Sequence, residues 1–255
     1  MLVKYHDEVG GVRVVTFDRP PANAITTEFL ADLKTVIDGC AAEDTVRAVL
    51  VRGNAKFFSA GLDLKAVAGG GASELARIGE NDGINALWTL PKPTVAQVEG
   101  HAIAGGAILA LACDLRLSWS GPHKIGVNES AFGIAFPREA FEILRTGLPA
   151  HRLGRAVLEG TLYPAAEALE NGFLHECLPD AEALSSRSLE LARQLATSPA
   201  VGYAYNKRLL LEPALERCAK ETDESRQALV DLWSHPDTVQ GIIGRLQAVG
   251  SGRKS

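Results

Sequence analysis

The sequence predicts an α/β fold that gives way to an all-helical C-terminal part. Two observations predict this. Short apolar runs of strand length alternate with helical spacing through the first half, and from Pro137 onward the spacing is almost wholly helical. A third bounds it: 255 residues suit an α/β domain and can bury about three quarters of the unfolded surface.

The elements follow in order. Leu2 to Tyr5 and Val12 to Phe17 alternate around Gly10-Gly11, which predicts a hairpin. Asp18-Arg19-Pro20-Pro21 breaks the second strand. Thr26 or Thr27 caps a helix to about Ala41, its apolar face formed by Phe29, Leu30, Leu33, Val36 and Ile37. Ala48 to Val51 reads as a buried strand. Ala66 to Ala72, with Gly69-Gly70-Gly71, is expected to be mobile. Ser73 to Leu90 has helical spacing, stopped by Pro91 and Pro93. Thr94 to Val98 reads as a strand, and Gly100 to Gly106 as a turn into a buried helix ending near Cys113. Leu115 to Leu117 and Ile125 to Val127 read as further strands. Two regions are expected, 1–195 as the core and 196–255 as a helical region.

Composition narrows the function. A net charge of -5 offers no basic field for nucleic acid. Cys40, Cys113, Cys177 and Cys218 form no C-x-x-C pair, which predicts free thiols in a reducing compartment. The first residues resemble neither a signal nor a transit peptide, so a cytoplasmic home is expected. The longest apolar run, around Ala102 to Cys113, is too short to span a bilayer. Six scattered histidines make no metal-ligand spacing, and neither a G-x-S-x-G elbow nor a P-loop is present.

Two segments share one design. Phe58-Ser59-Ala60-Gly61-Leu62-Asp63 and Ala102-Ile103-Ala104-Gly105-Gly106-Ala107 each place glycine where a strand turns into a helix. The first N–H groups of a helix lack internal partners and carry partial positive charge. Two of them aimed at one point would hold a carbonyl oxygen as it becomes negative, which suits an enolate or a tetrahedral adduct. Either motif alone is equally an ordinary turn, and spacing does not show that they meet. Glu129 lies in Ile125-Gly126-Val127-Asn128-Glu129-Ser130-Ala131-Phe132-Gly133-Ile134-Ala135-Phe136-Pro137. A carboxylate among such neighbours loses solvation, its pKa rises, and it becomes a base suited to a weakly acidic C–H; a surface turn glutamate is the plainer alternative. His101 and His123 read as structural or exposed. Lys56 and Lys65 flank the first turn and read as solvated, within reach of a phosphate.

In order and spacing these segments resemble the crotonase (enoyl-CoA hydratase/isomerase) superfamily over essentially the whole chain. The resemblance rests on Arg19-Pro20-Pro21-Ala22-Asn23-Ala24, Phe58 to Leu64, Ala104-Gly105-Gly106, Cys113-Asp114 and Tyr163-Pro164-Ala165-Ala166-Glu167-Ala168-Leu169. It implies a spiral of ββα units with a C-terminal helical region that builds a homotrimer or a dimer of trimers. It implies a thioester carbonyl held by the N–H groups of Leu62 and Gly105, and a coenzyme A adenine read by backbone from Ala60 through Gly61, Leu62 and Asp63 to Leu64, with Lys65 near the phosphates. Coenzyme A would arrive as part of the acyl-CoA substrate; no metal, redox cofactor, nucleic acid or membrane is implied.

One departure bears on the reaction. Hydratases of the superfamily carry two glutamates; the first falls here on Ile108, which has no acid–base capacity, and the second on Glu129. Pro20 to Ala24, Gly126 to Ser130 and Gly105 to Leu111 are similar to mitochondrial-type Δ3,Δ2-enoyl-CoA isomerases. The expected function is therefore to move a 3-enoyl-CoA double bond to the 2-trans position in fatty acid degradation, with Glu129 carrying the proton. Hydration, thioester or β-diketone hydrolysis, and acyl-CoA binding without turnover are the alternatives.

Overall fold

Strands enter two sheets alternately, and that alternation builds the site. The computed structural model describes residues 1–65 and 82–250, the side chains of 245 and 248–250 excepted. The hairpin forms from β1 (Val3–Glu8) and β2 (Val12–Phe17), paired antiparallel. β1 runs past Tyr5 because Asp7 stays in the ladder opposite Arg13, whose Nε donates to the Asp7 carboxylate at 2.7 Å. Next come α1 (Thr27–Ala42), β3 (Ala48–Arg52), β4 (Phe57–Ser59), α2 (Gly83–Thr89), β5 (Thr94–Val98), β6 (His101–Ile103), α3 (Gly105–Leu111), β7 (Leu115–Trp119) and β8 (Lys124–Gly126). β3, β5 and β7 join one sheet, of order β1-β2-β3-β5-β7-β10, where β10 is Glu176–Leu178. β4, β6 and β8 join the other, of order β4-β6-β8-β9, where β9 is Tyr163–Pro164. β3, β5 and β7 thus each hand the chain directly to a strand of the second sheet, a spiral of ββα units.

One expectation needs correction. The stretch Gly100 to Gly106 is not only a turn; it holds β6, too short for any periodicity to reveal. The helix after it ends at Leu111 with its cap at Ala112, next to the expected end near Cys113. From Pro137 onward the chain is almost wholly helical as expected, with only the short β9 and β10 adding one strand to each sheet. The glycine-rich stretch 66–72 and the first half of the helix expected from Ser73 to Leu90 lie outside the described residues; α2 is its second half.

The rest of the chain is α4 (Arg138–Gly147), α5 (Ala150–Glu159), α6 (Ala165–Glu170), α7 (Ala181–Ala196), α8 (Ala200–Cys218), α9 (Asp223–Ser234) and α10 (Pro236–Gly250). The main core joins the sheets to α1, where Phe17 meets Phe29 and Phe58 edge-on at centroid distances of 5.1 and 5.2 Å. α1 starts at the predicted cap, the Thr26 hydroxyl accepting from the Phe29 N–H. α7 packs Leu184, Leu191 and Ala192 against Val14, Leu50 and Val95 of the six-stranded sheet.

α8 is tied to the core at Asp114. That carboxylate accepts from the Thr94 N–H at 2.8 Å, Tyr203 Oη at 3.0 Å and Lys207 Nζ at 2.9 Å. Lys207 is buried, so Asp114→Ala strands an ammonium away from water. The expected cost is about 3 kcal/mol, to be measured as a drop in the midpoint of chemical denaturation; Lys207→Met should cost less, because it strands no buried cation. Among the described residues no helix is long and apolar enough to cross a membrane.

Candidate active site

The first glycine turn is shaped by the segment before α1. Asn23 is fully buried, with a left-handed backbone (φ 49°) that asparagine tolerates better than most residues. Its Nδ2 donates to the carbonyls of Phe57 at 3.1 Å and Phe58 at 3.2 Å, and its Oδ1 accepts from the Arg19 N–H at 3.0 Å. The Ser59 hydroxyl donates to the Asn23 carbonyl at 2.7 Å. These bonds lay the chain from Ala22 to Ile25 beside the end of β4. Ile25 then pairs parallel with Leu62: its N–H donates to the Gly61 carbonyl at 2.8 Å, and its carbonyl accepts from the Asp63 N–H at 3.0 Å. Extended backbone alternates its donors from side to side. The Leu62 N–H therefore faces away from Ile25, with no backbone acceptor among the described residues.

The second turn ends at Ala104, which is held at φ 55° although it is not glycine. Its N–H donates to the Gly126 carbonyl at 2.9 Å, and its carbonyl takes the N–H groups of Ala107 and Ile108. The Gly105 N–H opens α3 and also has no backbone acceptor among the described residues. A non-glycine residue in this conformation stores strain of about 1–3 kcal/mol, which persists only where surrounding contacts hold it.

The two turns meet. A methyl group placed on Gly61 (φ 81°) would stand 3.0 Å from Gly105 N, and one on Gly105 would stand 3.8 Å from Leu62 N. A methyl on Gly106 would collide with the Ser59 carbonyl. Only hydrogen at these positions lets the turns close on each other.

Both N–H groups border one cavity of about 580 Å³, a volume that suits a small-molecule ligand. Of the site residues read from the sequence, Ala60, Leu62, Asp63, Leu64, Lys65, Gly105 and Glu129 line it, as does Ile108. Gly61 does not; it packs behind the wall against Gly105. Lys56 does not either, and its ammonium lies 6.0 Å from the centroid of the Phe57 ring. At the polar end the Arg19 guanidinium meets the Asp63 carboxylate at 2.6 Å. Most of the remaining wall is apolar, including Ile25, Ile84, Phe132, Ile134 and Phe136.

Glu129 begins a short 3₁₀ turn, Glu129–Phe132, and is 7% exposed. Burial pushes its carboxyl up to about 7, against a weaker opposite pull from the backbone donors of Glu129 and Asn128. Its Oε2 is buried without a hydrogen-bond partner among the described residues. An acid held this way is costly as architecture and useful as a base near neutral pH. A base works only when ionised. The turnover rate is therefore expected to fall as pH drops through about 7, well above the reference glutamate value of about 4.3. A rate against pH that stays level down to that reference would show a solvated carboxylate.

Four further wall residues escaped sequence reasoning. His101, read as structural or exposed, lines the cavity; its Nδ1 accepts from the Lys124 N–H at 3.0 Å, which leaves Nε2 as the N–H of a neutral ring. Burial, then Lys56 and Lys124, lower its pKa. Trp233 and Leu246 reach the cavity from α9 and α10, Trp233 with its indole N–H on the Ala135 carbonyl at 2.8 Å. Glu139, on α4, is the fourth. By contrast His123, also read as structural or exposed, is buried with Nε2 2.7 Å from the Ser118 hydroxyl and is absent from the wall.

Comparison with known proteins follows the same lines. Residues 7–247 match the family described as enoyl-CoA hydratase/isomerase. Human mitochondrial enoyl-CoA delta isomerase 1 is 29% identical over 240 residues, covering 92% of this chain and 78% of that protein. A putative enoyl-CoA hydratase of Thermus thermophilus is 34% identical over 238 residues, covering 89% of this chain and 90% of the relative. The crystal structure of human mitochondrial delta3-delta2-enoyl-CoA isomerase superposes with a TM-score of 0.92 at 25% identity, over 100% of both chains.

Proposed function

The chain belongs to the enoyl-CoA hydratase/isomerase family, and from that premise we propose that it moves the double bond of a 3-enoyl-CoA to the 2-trans position. One observation carries the reading: a single cavity brings together two backbone N–H groups without a backbone acceptor among the described residues, the buried carboxyl of Glu129 with its Oε2 unpartnered among those residues, and an apolar Ile108 at the position where the family's hydratases carry their other glutamate.

The chemistry follows from that placement. The thioester oxygen accepts from the Leu62 and Gly105 N–H groups. That withdraws charge from C2 and lowers the cost of removing its proton. The Glu129 carboxylate takes the proton, the C2–H electron pair moves into the conjugated system, and the oxygen becomes the anionic end of a dienolate. Glu129 then returns that proton at C4: its O–H bond breaks as the dienolate electron pair forms the C4–H bond, and the double bond is left between C2 and C3. The backbone of Ala60 to Leu64 would read the adenine, and Lys65 with Arg19 would meet the phosphates at the polar end of the cavity. No redox or metal step enters this sequence, and coenzyme A is the handle of the substrate rather than a resident cofactor.

The assembly proposed is a homotrimer or a dimer of trimers. Val201, Tyr205, Leu209 and Leu210 stand exposed on α8, an apolar surface that a second copy would cover. Sedimentation of the purified chain tests this; a monomer at micromolar concentration contradicts it. A cytoplasmic location is proposed from the four free thiols.

Hydration of a 2-enoyl-CoA is the second reading, favoured by Glu139, which puts a second carboxyl into the cavity by another route. Incubation of a 2-enoyl-CoA in water labelled with heavy oxygen separates the two. The isomerase reading expects no label in the recovered thioester beyond the blank, and enzyme-dependent incorporation at C3 would replace it with hydration.

A further inference from the structure

The Glu129 carboxyl group takes its place from the backbone of its own turn. The donors beside it are the N–H groups of Glu129 and Asn128. Its Oε2 has no partner, and among the described residues no other side chain bonds to the carboxyl group. What fixes the turn therefore fixes the base.

The turn is held from two sides. On one, the Ser130 hydroxyl donates to the Val157 carbonyl of α5 at 2.6 Å. On the other, α9 and α10 grip it at three points. The Trp233 indole N–H donates to the Ala135 carbonyl at 2.8 Å. The Thr238 hydroxyl is buried and stands 2.9 Å from both the Gly133 carbonyl and the Leu232 carbonyl, so one hydrogen is shared between the end of the turn and the end of α9. Gly241 lies flat on Phe132: a methyl there would stand 2.3 Å from the Phe132 carbonyl oxygen and 3.0 Å from its carbonyl carbon. Glycine inside a helix is normally a cost relative to alanine. Here it lets α10 seat directly on the backbone of the turn.

The same two helices reach the other half of the site. Trp233 and Ile242 form a cluster that packs against Leu62, whose N–H is one of the two carbonyl donors, and against Ile134 and Ala135, just after the turn. Resting on the isomerase reading above, we infer that Thr238 and Gly241 are positioning residues, through which α10 sets the Glu129 carboxyl against C2 of a thioester held by the Leu62 and Gly105 N–H groups. Neither residue lines the cavity. Their effect runs through the turn, so it falls on the rate of the bound complex rather than on the binding of the thioester.

Steady-state kinetics of full-length variants on a 3-enoyl-CoA test this. Gly241→Ala should lower kcat by about 100-fold, the loss expected when a reacting group is displaced by about 1 Å, and KM should stay within a few fold of wild type. Deuterium at C2 should slow this variant at least as much as it slows wild type, since proton transfer is the impaired step. Thr238→Val should lower kcat by about 10-fold through a smaller displacement, and Thr238→Ser, which keeps the hydroxyl, should recover most of that loss. Gly244→Ala is the control: Gly244 lies on the same helix with no described atom within 4 Å of an added methyl, and its kcat should match wild type. Wild-type kcat in Gly241→Ala overturns the inference and leaves the isomerase reading standing. A loss confined to KM overturns it too, since α10 would then only shape the pocket. So does a loss of kcat in which the isotope effect disappears, or an equal loss in Gly244→Ala, which would trace the effect to helix stability. If Gly241→Ala does not fold, the Thr238 variants decide alone, and equal rates for valine and serine overturn the inference. A wild-type chain that converts no 3-enoyl-CoA overturns the isomerase reading itself, and this inference with it.

Discussion

Glu129→Gln is expected to reduce turnover of a 3-enoyl-CoA by well over ~100-fold, because the amide keeps the shape of the side chain and cannot take a proton. The fold should tolerate the change. Glu129 Oε2 has no partner to lose among the described residues, and an amide avoids the ionisation that burial opposes. The variant should therefore match or exceed wild type in thermal stability above pH 7, where the wild-type carboxyl must be held ionised. The sign follows from the pKa. A carboxyl raised in the folded state to about 7 costs stability as pH rises from its unfolded value, and that cost continues to grow until pH passes the folded value. Acyl-CoA affinity, which is proposed to rest on the Ala60 to Lys65 side of the cavity, should remain near wild type. Kinetics on 3-enoyl-CoA beside calorimetric titration with a saturated acyl-CoA check both halves. A variant that keeps most of its rate removes Glu129 from the mechanism.

Gly61→Ala is expected to be nearly as damaging by a different route. The added methyl would sit 2.9 Å from the Ile103 carbonyl and 3.0 Å from both Gly105 N and the Ala104 methyl, on a backbone with φ 81°. The two turns must move apart, so the Leu62 and Gly105 N–H groups no longer converge on one oxygen. Loss of one such donor costs about 10²- to 10³-fold in turnover; the strained backbone adds about 1–3 kcal/mol of instability. Gly154→Ala is the control. Gly154 lies on α5 with nothing within 4 Å of an added methyl, so alanine there should stabilise the helix by up to about 1 kcal/mol and leave the rate unchanged. Unaltered turnover in Gly61→Ala would mean that the two turns do not form one oxyanion site.

What could be read from the sequence was what local chemistry controls. The Thr26 cap and the apolar face of α1 need only neighbours three and four residues apart, and both stand where the spacing put them. Glu129 announced itself because an acid inside so apolar a stretch is costly whatever the fold, and it is buried. Most elements of two or three residues left no pattern to read, β8 apart. β6 between its flanking glycines and β9 before α6 exist because a neighbouring strand offers hydrogen bonds, which is tertiary information. The direction of the Leu62 N–H is likewise set by pairing with Ile25, 37 positions earlier in the chain. Glu139 sits in Arg138-Glu139-Ala140, a stretch that reads as the solvated start of a helix. Only the packing of α4 beside the cavity takes its carboxyl out of water. Trp233 was hidden for the same reason, reaching the wall from a helix nearly a hundred residues beyond the Ala135 carbonyl it binds.

The central claim is that this cavity turns a 3-enoyl thioester into its conjugated isomer. The most direct measurement is the ultraviolet absorbance of the conjugated thioester after mixing purified chain with a 3-enoyl-CoA, in parallel with a 2-enoyl-CoA. The account predicts a saturable rise in absorbance with the first substrate, proportional to enzyme and lost in Glu129→Gln, and little change with the second beyond the return toward equilibrium. Tight binding of both thioesters with no rise would contradict it and leave an acyl-CoA binder; release of free coenzyme A thiol without conjugation would contradict it in favour of hydrolysis.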